Sequence, residues 1–187
     1  GHASNAPAPA PELATESLPR TRDPVEPSAR PEPLAAWTDL AQDGKYADAV
    51  ARAESLGWDQ VVAKASPDEL LLLADAARLG GRLERASQAY ATIRSRFAAS
   101  ESAATAAFML GRIALDRVDP PAAAGSWFET YLRERPQGRL ARAALGRLIE
   151  ARLGAKDEAG AREAARRYLE QFPQGPHAEL AGSLLNP

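Results

Sequence analysis

The sequence contains no cysteine in 187 residues, which removes disulfides, thiolate zinc sites and cysteine nucleophiles together. Histidine is nearly as scarce. His2 and His177 stand alone, too few and too far apart for a histidine-based metal site or a histidine-centred triad. Aromatic side chains make up 6% of the chain against 45% for all hydrophobic residues, so the apolar content rests on alanine and leucine, a composition suited to closely crossing helices. Basic and acidic residues nearly cancel, 23 against 25, for a formal charge of −2, and the basic footprint of a nucleic-acid binder is missing. No apolar run reaches the roughly 20 residues that span a bilayer. Lysine occurs only at Lys45, Lys64 and Lys156, against 20 arginines. That bias reads as the codon usage of a GC-rich bacterial genome more than as phosphate recognition.

What is present divides near residue 34. The opening Gly1-His2-Ala3-Ser4-Asn5-Ala6 reads as the scar of a cleaved tag. Residues 7–33 hold eight of the fifteen prolines, and their only large apolar side chains are Leu13, Leu18 and Val25. A stretch of this kind cannot bury enough surface to offset its ordering entropy, so 1–33 is expected to be tag scar plus a Pro/Ala-rich flexible linker. Residues 34–187 turn to alanine and leucine at helical spacing and are expected to form one all-α domain.

The helix boundaries are marked by cap residues. Ser66-Pro67-Asp68-Glu69 reads as a capping box with proline at the first helical position, opening a helix to Leu79 that Gly80-Gly81 closes. Further helices are expected over Arg82–Phe97, from Ser100 to Arg117, from Asp119-Pro120 to just before Pro136, over Leu140–Leu153 and over Glu158–Phe172. Trp58–Ala65 reads as a short helix or an irregular connection. The chain also resembles itself. Tyr131 to Gly138 (Pro136-Gln137-Gly138) and Tyr168 to Gly175 (Pro173-Gln174-Gly175) align at an offset of 37 residues, and Ala124 with Ala161 obeys the same offset. Leu110-Gly111-Arg112 aligns with Leu145-Gly146-Arg147 at 35, and Gly44 to Ala49 aligns with Gly81 to Ala86 at 37. Periods in the mid-thirties that hold two helices each point to stacked helix pairs.

These residues resemble the tetratricopeptide repeat. Gly111, Ala123, Trp127 and Pro136 match the family's small residue, second-helix alanine, aromatic and closing proline, and Ala74, Ala86 and Tyr90 match the preceding repeat. Gly146, Ala161, Tyr168 and Pro173 match the last one, with an insertion near Leu153-Gly154-Ala155-Lys156. The first repeat departs, with Trp37 at the small-residue position, while Gly44, Tyr46 and Ala49 fit. The resemblance covers about residues 34–187. It implies a right-handed helical-repeat solenoid of about four helix pairs, closed by a C-terminal capping helix from Pro176 to Leu185. Tyr90, Trp127 and Tyr168 are then core residues rather than a stacking platform for bases.

Nothing in the sequence points to catalysis. Gly80-Gly81 lacks the strand and the lysine-serine pair of a phosphate loop. Glu158, Glu163 and Glu170 alternate with Arg162, Arg166 and Arg167 as on a solvated helix face. His177 reads as an exposed or locally bonded helix-terminus residue. The resemblance implies a non-catalytic module that binds a peptide segment or partner protein in a concave groove, with no cofactor, metal or nucleic acid. The alternative is a self-associating scaffold. The joints Pro136 to Ala141 and Pro173 to Ala178 are similar to those of the bacterial envelope subclass, which includes Tol-associated coordinators and outer-membrane-assembly lipoproteins. The Pro/Ala-rich spacer is similar to that of membrane-anchored sigma-factor regulators. A periplasmic or envelope location is therefore expected, with the cytoplasm as alternative and an upstream membrane anchor compatible with the rest.

Transferred onto this register, the family's groove positions are Leu71, Asp75 and Arg78, then Phe108, Arg112 and Leu115, then Ala143, Arg147 and Glu150. Arg112 and Arg147 are equivalent and are expected to present two guanidinium forks along one wall to acidic side chains. The competing reading pairs these arginines with Asp75, Asp116 and Glu150. The family's chaperone-tail carboxylate clamp is not matched, because its lysine and asparagine positions read Leu71, Phe108, Arg112 and Ala143. Deleting residues 1–33 is expected to leave the thermal midpoint nearly unchanged. A loss above about 1 kcal/mol, large for a tail without core contacts, would show instead that Leu13, Leu18 or Val25 docks on the helices.

Overall fold

Capping chemistry sets where the helices begin. In a computed structural model that describes residues 36–116 and 121–186, the Ser66 hydroxyl accepts from the Glu69 amide at 3.3 Å. The Glu69 carboxylate in turn accepts from the Ser66 amide at 2.8 Å, closing the expected box ahead of Pro67. Ser100 caps the next helix through the Ala103 amide at 3.0 Å, and Asp157 caps a later one through the Gly160 amide at 2.9 Å. Ten helices follow in order among the described residues: α1 (Trp37–Gln42), α2 (Tyr46–Ser55), α3 (Trp58–Lys64), α4 (Pro67–Leu79), α5 (Leu83–Arg96), α6 (Glu101–Asp116), α7 (Pro121–Glu134), α8 (Ala141–Gly154), α9 (Glu158–Gln171) and α10 (Ala178–Leu185). The described residues contain no strand. The ambiguous stretch after Gly57 is thus a short helix. The Asp119-Pro120 cap and the 1–33 segment lie outside the described residues.

Three turns share one geometry. At the α1–α2, α4–α5 and α8–α9 corners the chain enters the left-handed region at Gly44 (φ 76°), Gly81 (φ 75°) and Lys156 (φ 57°). In each, the following amide reaches back to a helix carbonyl: Lys45 to Leu40 at 2.9 Å, Arg82 to Ala77 at 2.7 Å, Asp157 to Arg152 at 2.9 Å. These are the paired bonds of a glycine-type helix stop. The third corner assigns the left-handed role to a lysine, while the nearby Gly154 ends α8 itself.

The helices pack on their chain neighbours: α4 on α5, α5 on α6, α6 on α7, α7 on α8, α8 on α9 and α9 on α10. At the start of the chain α1 packs on α2, and α2 on α3 and more extensively on α4; beyond these, α1 touches α4, α4 touches α6 and α6 touches α8. One apolar cluster lies beneath α1 to α6, centred on Leu70, Leu73, Tyr90 and Ile93. A second runs under α6 to α10, centred on Phe128, Leu145, Leu148 and Tyr168. Met109 and Trp127 pack against both and join them.

The second-helix register of the third pair is shifted by one residue from the expected one. Ala123 is exposed and Trp127 half-buried, while Ala124 and Phe128 are both 0% exposed. The ring of Phe128 sits on Gly111, where a Cβ would lie 2.8 Å from its edge. Gly111 therefore serves the role expected of it, with Phe128 rather than Trp127 as its partner. Phe128→Ala is expected to cost about 3–5 kcal/mol, the usual loss for an emptied aromatic core site, and Trp127→Ala distinctly less. Denaturant melts of the two variants give the order; the reverse ranking would restore the Ala123–Trp127 register.

Candidate partner-binding face

Leu71, Asp75 and Arg78 recur at helical spacing on α4, so they share one of its faces. Leu71 is half-buried against the first cluster. Asp75 faces inward: the Tyr90 hydroxyl donates to its Oδ1 at 2.6 Å, and the Arg78 guanidinium lies 3.5 Å from the same oxygen. Burial and the adjacent Asp75 carboxylate push the Tyr90 phenol well above its ordinary range, so Tyr90 remains a donor. Asp75 is occupied by its own fold, whereas the Arg78 Nε is buried without a partner.

On α6 the expected positions separate. Phe108 is 5% exposed, its ring edge-on to Phe128 at 5.7 Å and to Tyr131 at 5.9 Å. It packs the second core and leaves almost nothing for a partner. Leu115 is half-buried. Arg112 has no hydrogen bond or ion pair among the described residues, and it lines a cavity of about 210 Å³ with Arg78, Leu83, Ile113 and Asp116. The structure thus brings Arg78 and Arg112 to one hollow, a pairing that the 35-residue equivalence of Arg112 with Arg147 did not suggest.

On α8, Arg147 donates to Glu150 Oε2 at 2.7 Å, and the other oxygen of Glu150 lies 3.0 Å from His177 Nε2. The competing expectation of local pairing therefore describes Arg147, through Glu150, and it does not describe Arg112, while Asp75 is paired with Arg78 instead. His177 is the residue the sequence undervalued. Its amide donates to the Tyr168 hydroxyl at 3.1 Å, its ring stands edge-on to Tyr168 at 5.7 Å, and its Nδ1 is buried without a partner. The ring covers Gly146 so closely that any Cβ there would collide with it. The sequence signal for this position is the 37-residue offset that aligns Tyr131 with Tyr168, since it also aligns Leu140 with His177, and the Leu140 amide makes the matching bond to the Tyr131 hydroxyl at 3.0 Å.

Among the described residues no group of three histidine, aspartate or glutamate side chains is arranged to hold a metal ion, and no helix is long and apolar enough to cross a membrane. The chain matches no protein-family model and no curated protein sequence.

Burial opposes ionisation of Glu150, but hydrogen bonds from Arg147 and His177 outweigh it and hold the carboxyl below its ordinary value of 4.5. A depressed carboxyl adds stability above its unfolded pKa, and that contribution is lost as pH falls through the folded value. Glu150→Gln is therefore expected to cost about 1 kcal/mol at pH 7, allowing for its partial exposure. That corresponds to a midpoint lowered by about 2–4 °C. The difference should shrink as pH drops below the carboxylate range. Thermal melts of both proteins from pH 7 to pH 3 check it; a gap that stays constant would show that Glu150 acts through packing alone.

Proposed function

We propose that the chain is a non-catalytic protein–protein interaction module, a tetratricopeptide-like helical repeat whose first helices α4, α6 and α8 form the wall that meets a peptide or partner protein. The observation that carries this reading is the succession of contacts α1–α4, α4–α6 and α6–α8 beyond the neighbour-to-neighbour packing. It is supported by the two joints in which a tyrosine hydroxyl accepts an amide nine residues on. A wall of this kind offers a continuous surface that one helix pair cannot supply. Its available side chains are Leu71, Arg112 and Leu115, together with the outer edges of Arg78 and Arg147. Phe108, Asp75 and Glu150 support it from behind. An envelope location, with the spacer holding the repeats away from an anchor, belongs to the same proposal and rests on the joints' likeness to envelope repeats.

The experiment is site-specific photo-crosslinking in the native host, with the probe at position 112 or at the exposed position 166 on α9. The expected result is a defined heterologous adduct from 112 and none from 166. Adducts from 166 alone would overturn the groove reading, and adducts of the chain with itself from 112 would replace it with the scaffold alternative.

A further inference from the structure

Arginine in this fold is nearly always committed. Arg94 grips the Glu134 carboxylate with two bonds of 2.7 and 2.8 Å. Arg96 donates to the Val62 carbonyl at 2.6 Å and also to that of Ala65. Arg85 lies over the Trp58 ring at 4.8 Å and pairs with Glu54 at 2.9 Å. Arg152, Arg162, Arg166 and Arg167 all have carboxylate partners. Of the arginines described, Arg82, Arg112, Arg139 and Arg142 have neither a hydrogen bond nor an ion pair from their side chains among the described residues. Two of these four, Arg139 and Arg142, line the same hollow.

That hollow lies between the two Pro-Gln-Gly joints. It has two compartments that share Arg142 and Phe172. One, of about 310 Å³, is bounded by Phe172, Pro173, Gly175 and the polar Gln174 and Arg142. The other, of about 210 Å³, is bounded by Gln137, Arg139 and Arg142. No acidic side chain lines either one. Phe172 is half-buried and rests against Tyr168, ring centres 5.8 Å apart, so its position is set by the core. The Phe172 compartment is therefore a formed feature of the fold.

We propose that this hollow is a second docking site, distinct from the first-helix wall, for an internal acidic-apolar dipeptide of a partner chain. The apolar side chain enters beside Phe172 and Pro173, and the carboxylate of the adjoining aspartate or glutamate meets Arg139 and Arg142. Charge complementarity selects a carboxylate, because two guanidinium groups without counter-charges face one compartment and arginine forks match carboxylate geometry. Two adjoining compartments, one bounded by Phe172 and Pro173 and one by both arginines, suit the neighbouring side chains of an internal dipeptide, and the free chain end is the alternative that the test separates. The site does not depend on the groove reading, since none of its residues belongs to the α4–α6–α8 wall positions.

The test is a titration of the full chain followed by amide NMR, with the Gly138, Arg142 and Gly175 signals as reporters. The probe is a tetrapeptide of alanine, glutamate, leucine and alanine, acetylated and amidated at its ends. The expected result is saturable movement of those three signals. Replacing the probe's glutamate with glutamine, or using the double variant Arg139→Gln, Arg142→Gln, should weaken binding about tenfold, as loss of charge-assisted hydrogen bonds does. Both arginines are exposed, so the variant is expected to fold, and its unchanged amide spectrum elsewhere checks this. The proposal is overturned if the reporter signals do not move. It is equally overturned if the glutamine probe or the double variant binds like the parent pair. A glutamine probe with a free C-terminal carboxylate that binds more tightly than the blocked glutamate probe would reassign the site to chain ends.

Discussion

Four ring side chains in the second half of this protein sit on glycines, and the packing there depends on those contacts. Phe128 covers Gly111, the His177 ring covers Gly146, and the hydroxyls of Tyr131 and Tyr168 stand where a Cβ of Gly138 or Gly175 would be. Helices that approach on alanine leave room for few bulky groups, and a bulky group that does enter needs a hollow opposite it. An added methyl at any of these glycines forces a shift, and such overpacking typically costs about 1–3 kcal/mol. Local helix propensity does not select these positions; the pairing of a ring with a missing side chain does.

The two tyrosine joints extend this constraint to the backbone. At the α7–α8 corner the Arg135 amide returns to the Tyr131 carbonyl, the Gly138 amide to Arg135, and the Ala141 amide to Gly138. At the α9–α10 corner, Phe172, Gly175 and Ala178 repeat the same bonds 37 residues later. The tyrosine hydroxyl then accepts a further amide in each joint, from Leu140 or from His177. A buried amide without an acceptor costs more than a typical bond contributes, so the hydroxyl fixes the angle at which each following helix departs. At the last joint His177 adds a side-chain tie through Glu150 to Arg147, and α10 is held to α8 as well as to α9.

How much of this was legible in the sequence depended on how local each feature is. The capping box at Ser66, the stop at Gly80-Gly81 and the close of α7 before Pro136 involve residues within a few positions of one another, and they stand where the sequence implies. The one-residue slip in α7 has a specific cause. Ala123 with Trp127 and Ala124 with Phe128 are both alanine-aromatic pairs at a spacing of four, so the spacing alone does not choose between them. The 37-residue equivalence of Ala124 with Ala161 already indicated the second pair. The candidate face was less legible because side-chain commitments are long-range. Nothing near Glu150 announces His177, and nothing near Asp75 announces that Tyr90 will claim it. The third corner shows the same limit in the backbone, since a glycine at 154 invites the left-handed turn that Lys156 takes.

The small-residue constraint also determines where space is left over. A joint whose glycine must stay bare to receive a tyrosine hydroxyl cannot fill its outer side with that residue, and the proline beside it adds bulk but no donor. Two such joints in succession leave a hollow between them, floored by Phe172 and edged by the first turn of α8. Along the helix faces most charges are spent on each other, with partners one turn or one helix away, although Arg112 on α6 is an exception, unpaired among the described residues and beside a cavity of its own. Unsatisfied charge and unfilled volume also coincide at the joints. The core tolerates this, since the groups that fix the joints are the tyrosine hydroxyls and backbone amides beneath, and the arginines above them carry no part of that network.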